Sequence, residues 1–355
     1  MADERIRKVA DILVNYSTKV KKGDRVLINF DWQARELALE CYKLCIINGA
    51  LPKLDANVPG QAYIYYKHAA EHQLKSFPKV SFYEVKNTEV CMFIGADENT
   101  RELTNIDPSK ISMRRKITRP ISDWRVNKTR WIIFDFPTNS LAQEADMSLE
   151  EFEDFVFRSA IKDWKREARK MEGIKKALDA TNIVRIIGEE TDIRMSVKGR
   201  NGVVGDGSNN MPDGEVFTAP LERTVEGKIF FSFPAIYGGR EVEGVRLEFK
   251  KGKVIKATAT KNQDYLKKMI AMDAGSSYLG ELGLGCNYTI TKFVKNILFD
   301  EKIGGTIHMA LGSAYKECKG TNESALHWDM IKDLRKGGEI WFDKRLVQKD
   351  GKWLI

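Results

Sequence analysis

The chain has 355 residues, 43% of them hydrophobic and 30% charged, with a formal net charge of +8. That length fits two average domains, and the balance is that of an ordinary globular protein, which excludes a disordered or fibrous chain. No apolar run approaches the roughly 18 residues that a membrane-crossing helix needs, so no membrane partner is expected.

In chain order, MADERIRKVADILVNYSTKV places Ile6, Val9, Ala10, Ile12, Leu13 and Tyr16 at helical spacing and predicts a helix over 4–20. The segment has acids and no apolar signal core, and it reads as a cytoplasmic N-terminus. KKGD is a turn, and RVLINF (25–30) is a short buried strand. A helix is predicted from Gln33 to Asn48 with Gly49 as its stop. Strands follow at 52–58, 89–96 and 130–137, with a helix over 61–75. Ser148, three residues before Glu151, forms a capping box that opens a long helix running past Trp164. This alternation predicts an α/β domain with a mostly parallel sheet and helices on both faces.

From about Asn182 the pattern changes to short alternating runs divided by glycine turns. Helix returns over 262–274, and the end of the chain reads as a hairpin turning at Asp350-Gly351. The predicted boundary lies near residue 180. It separates residues 1–180 from an α+β domain at 181–355 that is rich in antiparallel strand.

The five cysteines, Cys41, Cys45, Cys91, Cys286 and Cys318, are scattered in largely apolar contexts. They read as reduced, buried thiols rather than a disulfide frame or a metal site. The basic clusters at 114–116 and 164–170 are interleaved with acids along the chain and come with no nucleic-acid signature. A solvated surface is expected, without a nucleic-acid partner. No P-loop and no G-x-G-x-x-G after a strand is present, which weakens the alternative of a non-catalytic basic protein binding nucleotides or RNA. Stoichiometric metal would separate an enzyme from that alternative.

Four histidines are candidates for metal ligands. His68 and His72 form H-x-x-E-H and would share a helical face. That face is polar, and a third ligand is missing, so both are expected to be bystanders. His327 and Asp329 point to one side if LHWDM is extended. Glu215 follows the Asp213-Gly214 turn, where a functional side chain can be presented. Glu281 has Gly280 and Gly283 around it, which permits close approach.

NNMPDGEVFTAP, GELGLGCN, IGGTIHMALGSAY and HWDM, in this order and with similar spacings, resemble the signature blocks of the thermophilic metallo-aminopeptidases, the family of aminopeptidases T and S and PepS. The resemblance covers most of the chain and is tight over 209–330. It implies Glu215, Glu281, His308, His327 and Asp329 as metal ligands and Tyr315 as an active-site tyrosine. Family members often carry a further glutamate five residues before the block's histidine. Ile303 stands there, and the nearest acid is Glu301, so either Glu301 is the sixth ligand or the site uses five.

Such a set exceeds the roughly three protein ligands of one catalytic zinc. It suits two divalent ions (zinc, cobalt or manganese) that share a carboxylate, for which Glu281 is the first choice. The implied reaction is removal of the N-terminal residue from peptides with a free N-terminus, by a water that two metals activate. Tyr315 would meet the oxyanion, and Glu215, Glu281 or Glu301 would shuttle the proton. A homodimer whose first domain helps enclose the active site is also implied. Another di-metal amide hydrolase is the alternative on the same ligands.

Overall fold

A computed structural model describes residues 3–355, and the chain divides into two compact units. The first holds the chain up to Lys162 together with Gly207–Pro212; the second holds Asp163–Asp206 and Asp213–Ile355. Among the described residues, no helix is long and apolar enough to cross a membrane.

The first unit is built on β1 (Arg25–Asp31), β2 (Leu51–Asn57), β3 (Val90–Gly95) and β4 (Arg130–Asp135). They pair in parallel in the order β2-β1-β3-β4. β3 reads VCMFIG and is mostly buried, as a parallel strand covered on both faces should be. The helix Arg35–Ile47 buries Leu37, Ala38, Cys41 and Cys45, and Gly49 (φ +74°) turns the chain out of it.

Two predicted helices break. Over 61–75 the chain forms Gln61–His68 and Glu71–Lys75, with Ala69 and Ala70 extended between them. His68 and His72 therefore share no helical face. At Ser148 the capping box forms as expected, but its helix is Leu149–Ala160 and ends at an extended Ile161. Asp163 then caps a new helix, Trp164–Asp179, by accepting from the Arg166 N–H. The division of the chain falls at this break, not near residue 180. Met171, Ile174 and Leu178 of the new helix pack into the core of the second unit, which is why that helix belongs to it.

The second unit begins with β5 (Ile183–Gly188), β6 (Thr191–Ser196) and β7 (Val203–Gly205). The chain then gives β8 (Asn210–Met211) to the first unit, where it lies parallel to β4 as a fifth strand. It continues in the second unit with β9 (Glu215–Thr218), β10 (Glu226–Phe230), a ribbon of β11 (Ala235–Tyr237) and β12 (Arg240–Val242), β13 (Arg246–Lys250) and β14 (Lys253–Thr258). After the helix Gln263–Ile270 come β15 (Leu279–Gly285), β16 (Thr306–Gly312) and β17 (His327–Asp333). The chain closes with β18 (Glu339–Phe342), β19 (Arg345–Lys349) and β20 (Lys352–Trp353).

Two antiparallel sheets result, β14-β13-β10-β6-β5-β18-β19-β20 and β17-β16-β15-β9-β7. Both contribute to one apolar core: Ile186, Ile193 and Leu247 come from the first, and Leu282, Leu284, Ile307 and Met309 from the second. The final hairpin turns at Asp350 and Gly351, both at positive φ, as a two-residue type I′ turn requires. The expected architecture therefore holds: a parallel α/β unit followed by one rich in antiparallel strand.

Candidate metal centre

β15 past its bulge, β16 and β17 alternate. Leu282, Leu284, Ile307, Met309, Trp328 and Met330 face the core, so the intervening residues project from the other face. The register pairs Gly285 with Glu215, Gly283 with His308, Ala310 with both Glu281 and Asp329 across a bulge, and Gly312 with His327. Residues opposite one another in antiparallel strands share a face. Glu215, Glu281, His308, His327 and Asp329 thus converge on one side of four adjacent strands.

Their functional atoms meet. Glu281 Oε1 lies 3.4 Å from His308 Nε2, and its Oε2 lies 3.3 Å from His327 Nε2. Glu215 Oε2 is 3.2 Å from His308 Nε2, and Asp329 Oδ2 is 3.5 Å from His327 Nε2. Glu301, just past the short helix Ile297–Asp300, joins His308 and Asp329 in a third group of possible ligands. Both imidazoles are oriented from behind. His308 Nδ1 meets the Glu301 carbonyl at 3.1 Å, and His327 Nδ1 meets the Ser313 carbonyl at 2.9 Å. A carbonyl only accepts, so each Nδ1 carries a proton and each Nε2 faces the carboxylates. Metal-binding histidines are commonly held this way.

Burial makes this cluster electrostatically extreme. Glu215, Glu281 and His308 are buried. Burial raises the Glu215 pKa to about 8, against the pull of Lys302. Burial pushes Glu281 the same way, but its contacts with His308 and His327 prevail and bring it down to about 2. Burial works against charging either histidine, yet Glu281 and Glu215 carry His308, and Asp329 and Glu281 carry His327, up to about 10. Asp329 rises to about 6, mainly through burial.

Two oxygens in the cluster, Glu215 Oε2 and Asp329 Oδ1, are buried and accept no hydrogen bond. Unsatisfied buried carboxylate oxygens are costly unless a cation or donor meets them. Together with the imidazole and carboxylate donor set, these orphaned atoms fit divalent metal.

Gly283 makes room for His308. A Cβ at this position would lie 1.9 Å from His308 Cε1 and 2.0 Å from Nε2. Tyr315 flanks the centre; its ring packs edge-on against His327 (5.1 Å between centroids) and Phe217 (5.6 Å). Tyr315 is 46% exposed, and partial desolvation beside the Glu281 and Asp329 carboxylates raises its pKa, so it stays a proton donor.

His68 and His72 join none of the candidate ligand groups among the described residues, nor do the five unpaired cysteines. Sequence reasoning missed Lys302, which is fully buried and donates to Glu215 Oε1 at 2.9 Å and to Glu301. Its only signal was a lysine set in FDEKIGG, beside the unplaced Glu301. Burial lowers the Lys302 pKa, but Glu215 and Glu301 reverse this and hold it well above the usual lysine value.

The donor set and its orphaned carboxylate oxygens make this face a candidate centre for divalent metal. The sequence profile of the thermophilic metalloprotease (M29) family matches residues 2–353, and the chain belongs to that family. Aminopeptidase 2 of Geobacillus stearothermophilus is 23% identical over 99% of this chain and 95% of its own length. Aminopeptidase T of Thermus thermophilus is 35% identical over a shorter stretch, covering 34% of this chain and 33% of its own. The structure of wild-type AmpT from Thermus thermophilus superposes with a TM-score of 0.87 at 21% identity, covering 99% of each chain. A 2,5-dihydroxypyridine dioxygenase from Pseudomonas putida also shares the fold, with a TM-score of 0.65 at 12% identity over 100% of this chain and 98% of that one. The fold alone therefore does not select the reaction.

Proposed function

We propose that this chain is an aminopeptidase that hydrolyses the N-terminal residue from peptides, with two divalent cations at the centre. The observation that carries the reading is Glu281, which turns one oxygen toward His308 and the other toward His327. Glu215, Glu281 and His308 would hold one cation, and Glu281, His327 and Asp329 the other. Bound there, zinc, cobalt or manganese would supply an activated water and a Lewis acid for the scissile carbonyl.

The chain's own residues do the rest. Tyr315 is the donor to the developing oxyanion, a role supported by its place against His327 and its raised pKa. Glu301 is less buried than Glu215 and Glu281, and it carries the proton toward the leaving amine. N-terminal selectivity is supported by the relatives' names and by the carboxylates of the centre, which suit a free α-ammonium or amine. A cytoplasmic homodimer completes the proposal; unpaired cysteines support a reducing compartment, and the dimer rests on the family resemblance.

The deciding experiment offers free and N-acetylated dipeptides to protein reloaded with Zn²⁺, Co²⁺ or Mn²⁺ after chelation. Cleavage of free dipeptides alone is expected. Equal rates on acetylated substrates would point to a general amide hydrolase instead.

A further inference from the structure

Lys302 is the one fully buried charge at the centre that the ligand set leaves out. Its side chain is 0% exposed, and its ammonium bridges Glu215 and Glu301. These two carboxylates come from distant parts of the sequence, the start of β9 and the turn after the helix Ile297–Asp300. Lys302 takes Glu215 Oε1, while Oε2 of the same carboxylate lies toward His308 with no hydrogen bond of its own. The lysine thus occupies one side of Glu215 and leaves the other for a ligand.

The charge balance gives this arrangement a consequence. Glu215, Glu281, Glu301 and Asp329 crowd four carboxylates around two imidazoles. Buried carboxylates without counter-charge oppose folding strongly. A fixed ammonium among them relieves that repulsion when no metal is bound. Once dications arrive, the same ammonium repels them across a short, poorly screened distance. One residue therefore acts in opposite directions on the empty and the loaded centre.

We propose that Lys302 is the resident counter-cation of this cluster: it keeps the metal-free centre folded and, by the same charge, holds down affinity for divalent metal so that the metal can exchange. The proposal rests on the ligand reading given above.

The test uses the full chain with zinc as the probe, comparing wild type with Lys302→Gln and Lys302→Met. Glutamine keeps a donor without the charge; methionine keeps only the length. Zinc Kd is measured by competition with a chromophoric chelator, and melting temperature is measured with and without zinc. Both variants are expected to bind zinc tighter, by about tenfold or more. Their melting temperatures should fall further without zinc than with it. Unchanged or weaker zinc affinity, with equal melting losses in both states, would reduce Lys302 to a space-filling ion pair and overturn the proposal.

If a variant folds only when grown with zinc, its zinc dissociation rate replaces the Kd. A slower rate than wild type supports the proposal, and an equal or faster one overturns it. Wild type that binds no zinc overturns the ligand reading and this proposal together. Normal stoichiometry in wild type with unchanged affinity in the variants overturns this proposal alone.

Discussion

The two units treat charge in opposite ways. In the first, ion pairs lie mostly at the surface, as with Arg25–Glu89, Lys53–Glu84 and Arg101–Glu144, and Asp24 is its one buried carboxylate among the described residues. The second buries Asp213, Glu215, Glu281, Asp300, Lys302, His308 and Lys332. Surface pairs contribute little each, whereas buried charges are tolerated only where partners or ligands meet them. The net charge of the whole chain therefore said little about function, and the location of charge says much. Perturbed groups gathered on one sheet face are what a functional site leaves behind.

The contrast can be tested from its strong end. His308→Ala removes a ligand shared by two of the candidate groups, and it should abolish turnover together with stoichiometric metal. Full metal content by elemental analysis would exclude His308 from the ligand set. Tyr315→Phe should keep the metal and lower kcat by about 10²–10³, or roughly 2.7–4 kcal/mol, with little change in KM. Metal loss in that variant would make Tyr315 a ligand, and an unchanged kcat would make it structural.

Gly283→Ala adds a single methyl, but its Cβ would fall within 2.0 Å of the His308 ring. The ring must shift, and metal affinity should drop by about 10–100-fold, with a stability loss of about 1–3 kcal/mol. Affinity equal to wild type would mean that the strand yields without moving the histidine.

The smallest effect belongs to the first unit. Arg25 hydrogen-bonds Glu89 and brings its pKa down to about 2. A carboxylate lowered in the folded state stabilises above its unfolded pKa, near 4.5, and that contribution is lost as pH falls through about 2. Both side chains are well exposed, so Glu89→Gln should cost only about 0.2–1 kcal/mol near neutral pH, with the difference vanishing in acid. A larger loss in denaturant melts would show that the first unit also depends on its charges.

Much of the second unit was legible because its information is local. The glycine-divided short runs mark it as strand-rich, and the candidate ligands sit in short blocks, with His327 and Asp329 sharing HWDM. The roles of Gly283 and Lys302 were not legible, because they depend on strand register and on what a side chain meets across the sheet. In the first unit β1, β3 and β4 were readable from their apolar runs, whereas β2, LPKLDAN, has none. The helix Pro108–Lys128 was not readable, because Pro120 interrupts its sequence and its apolar stripe of Met113, Ile117, Ile121 and Trp124 is only half-buried. The break at Ala69-Ala70 was hidden for the opposite reason: alanine favours helix, so nothing in its chemistry announces an interruption.

The route of the chain has a consequence for inheritance. It passes between the two units at Lys162–Asp163, again at Asp206–Gly207, and a third time at Pro212–Asp213. During synthesis the first sheet waits for β8 until the helix Trp164–Asp179 and strands β5 to β7 have left the ribosome. A recombination point at the first crossing would strand β4 with an unpaired edge in one product and send its missing neighbour to the other. The two halves, so different in their treatment of charge, are therefore expected to be shuffled, duplicated and lost as one genetic piece.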